Sequence, residues 1–206
     1  MPIKAILSDI GEVVAPFDNS RTFSAFAAIA RVSVNRAMHE FVVRGLPKLK
    51  QYERGDISTE EYQKTMCSRL NLSKPEMPTA EEFHRAYSDV FTVRHDVLGE
   101  WKRLRASGLV MVAVSNICEM RHRWLHEEHR LFDVFDHLVM SYLEGHRKPS
   151  AELMTRALDR AGVQAEEALF VDDLAENLLP AAALGIVTHH FTGPEGLFKK
   201  LAELGL

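Results

Sequence analysis

Unbroken apolar runs and helix-period segments take turns along most of this chain. Ile3–Ser8 opens the alternation, and Leu109–Ser115, Leu138–Ser141, Ala168–Val171 and Ile186–His189 repeat it. These runs are apolar at successive positions rather than at every second one. That pattern predicts strands buried on both faces, as in a parallel sheet covered by helices. Helix candidates with readable ends lie between them. One runs from Asp96 to Ser107 and stops at Gly108. A second starts near Ser150, behind Pro149, and ends at Gly162. A third runs from Ala175 to Leu184 and is stopped by Gly185. The β-α-β-α order predicts the α/β class, with a doubly wound, Rossmann-like parallel sheet.

Residues 17–89 break this rhythm. They hold no convincing strand and several helical segments. Ser58-Thr59-Glu60-Glu61 and Thr79-Ala80-Glu81-Glu82 read as capping boxes that start helices. Gly45 and Gly55-Asp56 read as joints between the earlier ones. The expected organisation is therefore a core of residues 1–16 and 90–206, with a small all-helical cap, residues 17–89, inserted after the first strand.

Ligands of open parallel sheets bind beyond the carboxyl ends of the strands. Asp9-Ile10-Gly11-Glu12 follows the first strand, and Ser115-Asn116 ends the second. Arg147-Lys148-Pro149 comes a few residues after the third. The fourth ends in Asp172-Asp173, with Asn177 close behind. Three carboxylates, a hydroxyl, an amide and a lysine are thus predicted to meet on one rim. Any one of these could be a cap, a turn former or a surface charge; their joint order is the signal.

With those four segments in that order, the chain resembles the haloacid dehalogenase superfamily of hydrolases over nearly its whole length. FVDDLAENLLPAAALGI and YERGDIS look most like the branch of bacterial α-D-glucose-1-phosphate phosphatases and the N-terminal phosphatase domain of soluble epoxide hydrolase. The resemblance implies a Mg²⁺-dependent phosphomonoester hydrolase working through an aspartyl-phosphate, with a small phosphorylated metabolite, a sugar phosphate among the candidates, as substrate. It implies Asp9 as nucleophile, and Asp9, the Gly11 backbone carbonyl and Asp173 as Mg²⁺ ligands. Asp172 and Asn177 would orient the metal's surroundings. Lys148 would give positive charge to nucleophile and phosphoryl oxygens, and Ser115 and Asn116 would hold the phosphoryl group. The physics is consistent: a carboxylate nearing a phosphate dianion is opposed by about 4 kcal/mol per charge pair near 4 Å at an effective dielectric of 20. A bridging divalent cation reverses that sign.

One position departs from the pattern. Most phosphatases of the superfamily place a second aspartate, the acid–base, where this chain has Gly11. Such catalysis typically contributes about 10²–10⁴-fold, so the reaction is expected to favour leaving groups that need little protonation, such as anomeric or aryl ones. Glu12 is adjacent, but strand alternation would turn it away. Gly11 also keeps open a 2-haloacid dehalogenase reading, since halide leaves without a proton; the tandem Asp172-Asp173 favours phosphate. A catalytically silent binding protein on the same fold is the remaining alternative.

Composition narrows the picture by exclusion. The 206 residues carry a net charge of only −4, which gives no general attraction for nucleic acid or an anionic membrane. No run of about 18 apolar residues is present to span a bilayer, and the start MPIKAILSD does not read as a signal peptide. Cys67 and Cys118 have no ligand-like spacing and read as free thiols, so a cytoplasmic location is expected. His122, His126 and His129 fall on one helix stripe but sit among charged residues, as on a solvated face. His189 and His190, adjacent on a strand, point apart. Arg44, Lys48, Lys50 and Arg54 read as a charged helix surface, and Phe17 and Asp18 as residues at the cap entrance.

Overall fold

The structure, a computed structural model, describes residues 2–206. Strands β1 (Ala5–Ser8), β2 (Val110–Ser115), β3 (His137–Met140), β4 (Ala168–Asp172) and β5 (Val187–His190) form one parallel sheet of order β3-β2-β1-β4-β5. After β1 come helices α1 (Ser20–Ala30), α2 (Val34–Met38), α3 (Leu46–Glu53), α4 (Thr59–Arg69) and α5 (Ala80–Ser88). Then α6 (His95–Ala106) leads into β2 and α7 (Glu119–His129) follows it; α8 (Ser141–Glu144) and α9 (Ala151–Ala161) follow β3. Between β4 and β5 lies α10 (Ala175–Ala183), and α11 (Pro194–Glu203) comes last. The fold is the expected doubly wound α/β type, with strand ends displaced from the sequence reading by a residue or two.

The unbroken apolarity of the strands has a direct cause. Successive strand residues point to opposite faces, so each face needs its own core. Ile6, Met111, Ala113 and Leu169 pack with Trp101 and Leu104 of α6, Leu125 of α7 and Leu201 of α11. Their neighbours Leu7, Val112, Val114 and Phe170 pack on the other face with Leu153 and Ala157 of α9 and Ala181 of α10. β1 lies at the centre, paired with β2 and β4. Asp9, one residue beyond it, is tied to the β4 edge by its own N–H, which donates to Val171 O at 2.9 Å.

Helices α1–α5 gather around an aromatic cluster that includes Phe26, Phe41, Tyr52, Tyr62, Phe83 and Tyr87. Tyr52 stacks on Tyr62 at 4.7 Å between ring centroids. The predicted box at Thr79 is complete: its hydroxyl accepts from Glu82 N, and Glu82 accepts from Thr79 N at 2.8 Å. At Ser58 only half of the box forms. Ser58 Oγ accepts from Glu61 N at 3.1 Å, while the Glu61 carboxylate is drawn off by Lys48 Nζ at 2.8 Å. Gly45 and Gly55 are joints, as expected, and each is also a close approach. A Cβ on Gly45 would lie 2.3 Å from Phe41 O, and one on Gly55 (φ +76°) 2.3 Å from Tyr142 O. The Gly55 turn therefore rests directly on the backbone after β3.

Entry to and exit from this helical segment run side by side. Asp18 N donates to Val90 O, and Thr92 N donates to Pro16 O, both at 2.9 Å. The segment is seated on the start of α7: Met120 N donates to the Tyr52 hydroxyl at 3.2 Å, and His84 Nε2 pairs with Met120 O at 2.8 Å. Arg44, Lys48 and Arg54 of the basic stretch pair with Glu40, Glu61 and Asp56, as a charged surface should. No helix among the described residues is long and apolar enough to cross a membrane.

Two substitutions separate core packing from helix capping. Trp101→Ala, which empties a fully buried position of the sheet core, is expected to lower unfolding free energy by ~3–5 kcal/mol. Thr79→Ala, which removes the α5 cap, should cost about 1 kcal/mol. Urea denaturation of both variants checks this; an equal or reversed order would contradict the packing described.

Candidate active site

The carboxyl ends of β1, β2 and β4, with the loop before α9, enclose a pocket of about 290 Å³. Asp9, Gly11, Ser115, Asn116, Lys148, Asp173 and Asn177 all line it. Asp172 lies beneath, fully buried. Every residue nominated from the sequence is therefore at one place.

Lys148 holds the group together. Its Nζ is 2.7 Å from Asp9 Oδ1 and 2.6 Å from Asp172 Oδ2, with all three side chains nearly out of solvent. The Lys148 backbone is fixed by Asn116, whose Oδ1 accepts from Lys148 N at 2.7 Å and whose Nδ2 donates to Lys148 O at 3.0 Å. The Asn116 side chain thus places the lysine with one of its two Nδ2 hydrogens and its Oδ1, while it lines the pocket beside Ser115. Asp172 is fully engaged: besides Lys148, its Oδ1 accepts from Leu174 N and Asn177 Nδ2, each at 2.9 Å. Asp9 Oδ1 also accepts from Ile10 N at 2.7 Å. Gly11 O accepts from Val13 N at 2.5 Å, which uses one of the two lone pairs of that carbonyl.

The charges do not balance. Asp9, Asp172 and Asp173 each bring an oxygen within 4.8 Å of the others, against the single ammonium of Lys148. Burial, helped by the charge of Asp172 and opposed by Lys148, pushes the Asp9 carboxyl up to about 7. Burial and Asp172 also raise Asp173. Burial pulls the Lys148 ammonium down, but Asp9 and Asp172 outweigh it and hold the group above its ordinary value. The Lys148 shift reflects the excess of negative charge around it, while the Asp9 and Asp173 shifts reflect burial first and the Asp172 charge second. Hard oxygen donors with uncompensated negative charge fit a small divalent cation, with Asp9, Asp173 and the second lone pair of Gly11 O as the available ligands.

Three residues on the pocket wall, Glu12, Arg147 and Leu174, were not nominated from the sequence. Glu12 lines the pocket, whereas alternation would have turned it away. Alternation holds inside strands, but β1 ends at Ser8 and Glu12 adopts a left-handed φ of 53°. Its carboxylate accepts from Phe17 N at 3.2 Å. Arg147 also lines the pocket; it pairs with Glu53 of α3 at 2.8 Å, and its buried Nε has no partner. Its place beside Lys148 was the available signal. Phe17 reaches the pocket as well. The histidine stripe is not one solvated face: His122 turns inward against Phe132 and meets the Tyr142 hydroxyl at 2.9 Å, while His126 and His129 are exposed.

The profile of the haloacid dehalogenase-like hydrolases matches residues 3–185. A sesquiterpene phosphatase of Aspergillus oryzae is 30% identical over 157 residues, covering 75% of this chain and 78% of its own. A D-ribitol-5-phosphate phosphatase of Bacteroides thetaiotaomicron is 26% identical over 193 residues, covering 90% of each. Among solved structures, an enzyme of the same family from Bacteroides thetaiotaomicron, in complex with magnesium and inorganic phosphate, superposes with a TM-score of 0.77. It is 24% identical and covers 91% of this chain and 93% of its own. A hydrolase of this type from Porphyromonas gingivalis gives a TM-score of 0.81 at 20% identity, covering 99% of this chain and 98% of its own. These two structures share the fold.

The charge imbalance has a consequence for stability. In protein freed of metal by a chelator, the Asp9 carboxyl is raised from 3.8 in the unfolded chain to about 7 in the folded one. The folded state then binds more protons between those values, so stability falls as pH rises through this window. Thermal melts in chelator should show a midpoint that drops between pH 5 and pH 8, and Asp9→Asn should remove most of the drop. A wild-type midpoint that climbs over the same range would contradict the electrostatics described.

Proposed function

The chain belongs to the haloacid dehalogenase-like hydrolases, and from that premise we propose that it is a Mg²⁺-dependent phosphomonoester hydrolase acting through a phosphorylated Asp9. The observation that carries the proposal is the buried Asp9–Lys148–Asp172 bridge, with Asp173 beside it and too little positive charge to balance it. The relatives named as phosphatases favour phosphate-ester hydrolysis over dehalogenation. A helical cap of residues 17–89 over a core of 1–16 and 90–206 completes the assignment.

In this mechanism Asp9, Asp173 and the Gly11 carbonyl would hold Mg²⁺, which would supply positive charge to offset the repulsion between carboxylate and phosphate. Lys148 gives a compact positive charge to Asp9 and to the phosphoryl oxygens. Ser115 donates its hydroxyl to the same oxygens. Asp9 attacks phosphorus, forming a carboxyl O–P bond as the bond to the ester oxygen breaks. Water then cleaves the aspartyl-phosphate and restores Asp9. Asp172 contacts no reacting atom; held by Leu174 N, Asn177 and Lys148, it fixes the lysine and the direction of the β4 loop.

With Gly11 in place of a second aspartate, and the Glu12 carboxylate engaged by Phe17 N, departure of the ester oxygen gains little from a proton donor. Leaving groups that are stable as anions are therefore favoured, which includes aryl and anomeric phosphates. A phosphomonoester panel is expected to show hydrolysis that requires Mg²⁺, prefers aryl or anomeric esters over primary alkyl ones, and falls by at least ~10³-fold in Asp9→Asn. Equal rates for wild type and Asp9→Asn would overturn the assignment. A preference for simple alkyl phosphates would overturn the leaving-group argument alone.

A further inference from the structure

The surface of the helical segment is apolar where a helix should be polar. α2 runs on directly into a π-helical turn, His39–Val43. Ala37, Glu40 and Phe41 hold its inward side and are buried. The outward side of such a helix normally carries polar residues. Here it presents Val34, Met38, Val42 and Val43, and Leu46 follows at the start of α3. Val34, Met38 and Val42 stand four residues apart and share one stripe, while Val42 and Leu46 wall the same small cavity. Five of the eleven large apolar side chains exposed among the described residues thus fall between Val34 and Leu46, with Val43 at 64%. The charges beside them have one sign. Residues 31–50 hold Arg31, Arg36, Arg44, Lys48 and Lys50 against a single acid, Glu40. Glu40 is buried and pairs with Arg44, whereas Arg31 and Arg36 are exposed and join no ion pair among the described residues.

We infer that this surface binds an anionic membrane, with the stripe entering the boundary between headgroups and acyl chains and the arginines meeting lipid phosphates. Helices that lie in a membrane interface combine these two features, an aliphatic side and bordering Lys or Arg. Each cation held near an anionic bilayer strengthens binding by about fivefold. The attraction is local, since the net charge of −4 belongs to the molecule as a whole. It requires no spanning helix, because the chain lies on the bilayer. A second copy of the chain is a poorer occupant. A two-fold axis through the stripe would set a surface bordered by cations against itself, and like charges oppose that contact. The contact is independent of the chemistry at Asp9.

The test is co-sedimentation of the full chain with sucrose-loaded vesicles, made of phosphatidylcholine alone or of phosphatidylcholine and phosphatidylglycerol in equal parts. The mixed vesicles should pellet the protein in about 0.1 M salt. Binding should fall by at least ~5-fold without phosphatidylglycerol, and likewise in about 0.5 M salt. Val43→Asp and Met38→Asp, both at exposed positions, should each lower the partition coefficient on the order of tenfold. Arg31→Glu combined with Arg36→Glu should do the same. Leu179→Asp, at the most exposed leucine and outside the stripe, should bind as the wild type does. Thermal midpoints close to that of the wild type establish that the variants fold. A wild type that stays in solution with the mixed vesicles overturns the inference, and so does pelleting that Val43→Asp and Met38→Asp leave unchanged. Equal binding to both kinds of vesicle overturns the part given to the arginines. A dimer without vesicle binding, which Val43→Asp converts to monomer, overturns the membrane in favour of a second copy.

Discussion

An ammonium buried between two carboxylates is the constraint on which the site depends. Removing three charges from water is costly, and such bridges persist only when geometry and further hydrogen bonds satisfy every group. Here they do for Lys148 and Asp172. Lys148 meets Asp9 and Asp172 at 2.7 and 2.6 Å. Asp172 accepts from a backbone N–H and an amide, and Asn116 fixes the backbone from which the lysine extends. The partners come from the ends of β1 and β4 and from the loop before α9, so the sheet order itself sets their spacing. Asp9 is left with charge to spare. In the proposed reaction that surplus is what would make it a nucleophile once a cation and a phosphate arrive.

The helical segment acts on this centre from a distance. It rests on the start of α7, on the Tyr142 backbone under Gly55, and on Arg147 through Glu53. The last of these contacts reaches the pocket itself, since Arg147 lines it, so the helical segment fixes part of the wall. Phe17, at the crossing between the two parts, faces the pocket while Arg121 lies over its ring.

Much of this could be read from the sequence, for physical reasons that differ by element. The sheet was legible because strands buried on both faces must be apolar at every position, as Ile6 and Leu7 are. The site was legible because parallel strands present their carboxyl ends to one rim, so Asp9, Ser115 and Asp172-Asp173 had to converge. The half-formed box at Ser58 was not legible, because the competitor for Glu61 is Lys48, a cross-helix partner that no local pattern reveals. Glu12 was misread because a period-of-two rule was carried past the end of β1 into a left-handed turn. The hold of the Asn116 side chain on the Lys148 backbone, 32 residues away, was not legible either. Long-range pairings of this kind leave no trace in spacing.

The most direct measurement of the account is chemical capture of the phosphorylated nucleophile. Wild-type protein turning over an aryl phosphate with Mg²⁺ would be quenched and reduced with borohydride, which converts an acyl phosphate on aspartate to homoserine. Peptide mass spectrometry should then find homoserine at position 9 and none when substrate is withheld. Continued turnover with an unaltered Asp9, or a trapped group on any other residue, would contradict the claim that this carboxylate carries the phosphoryl group.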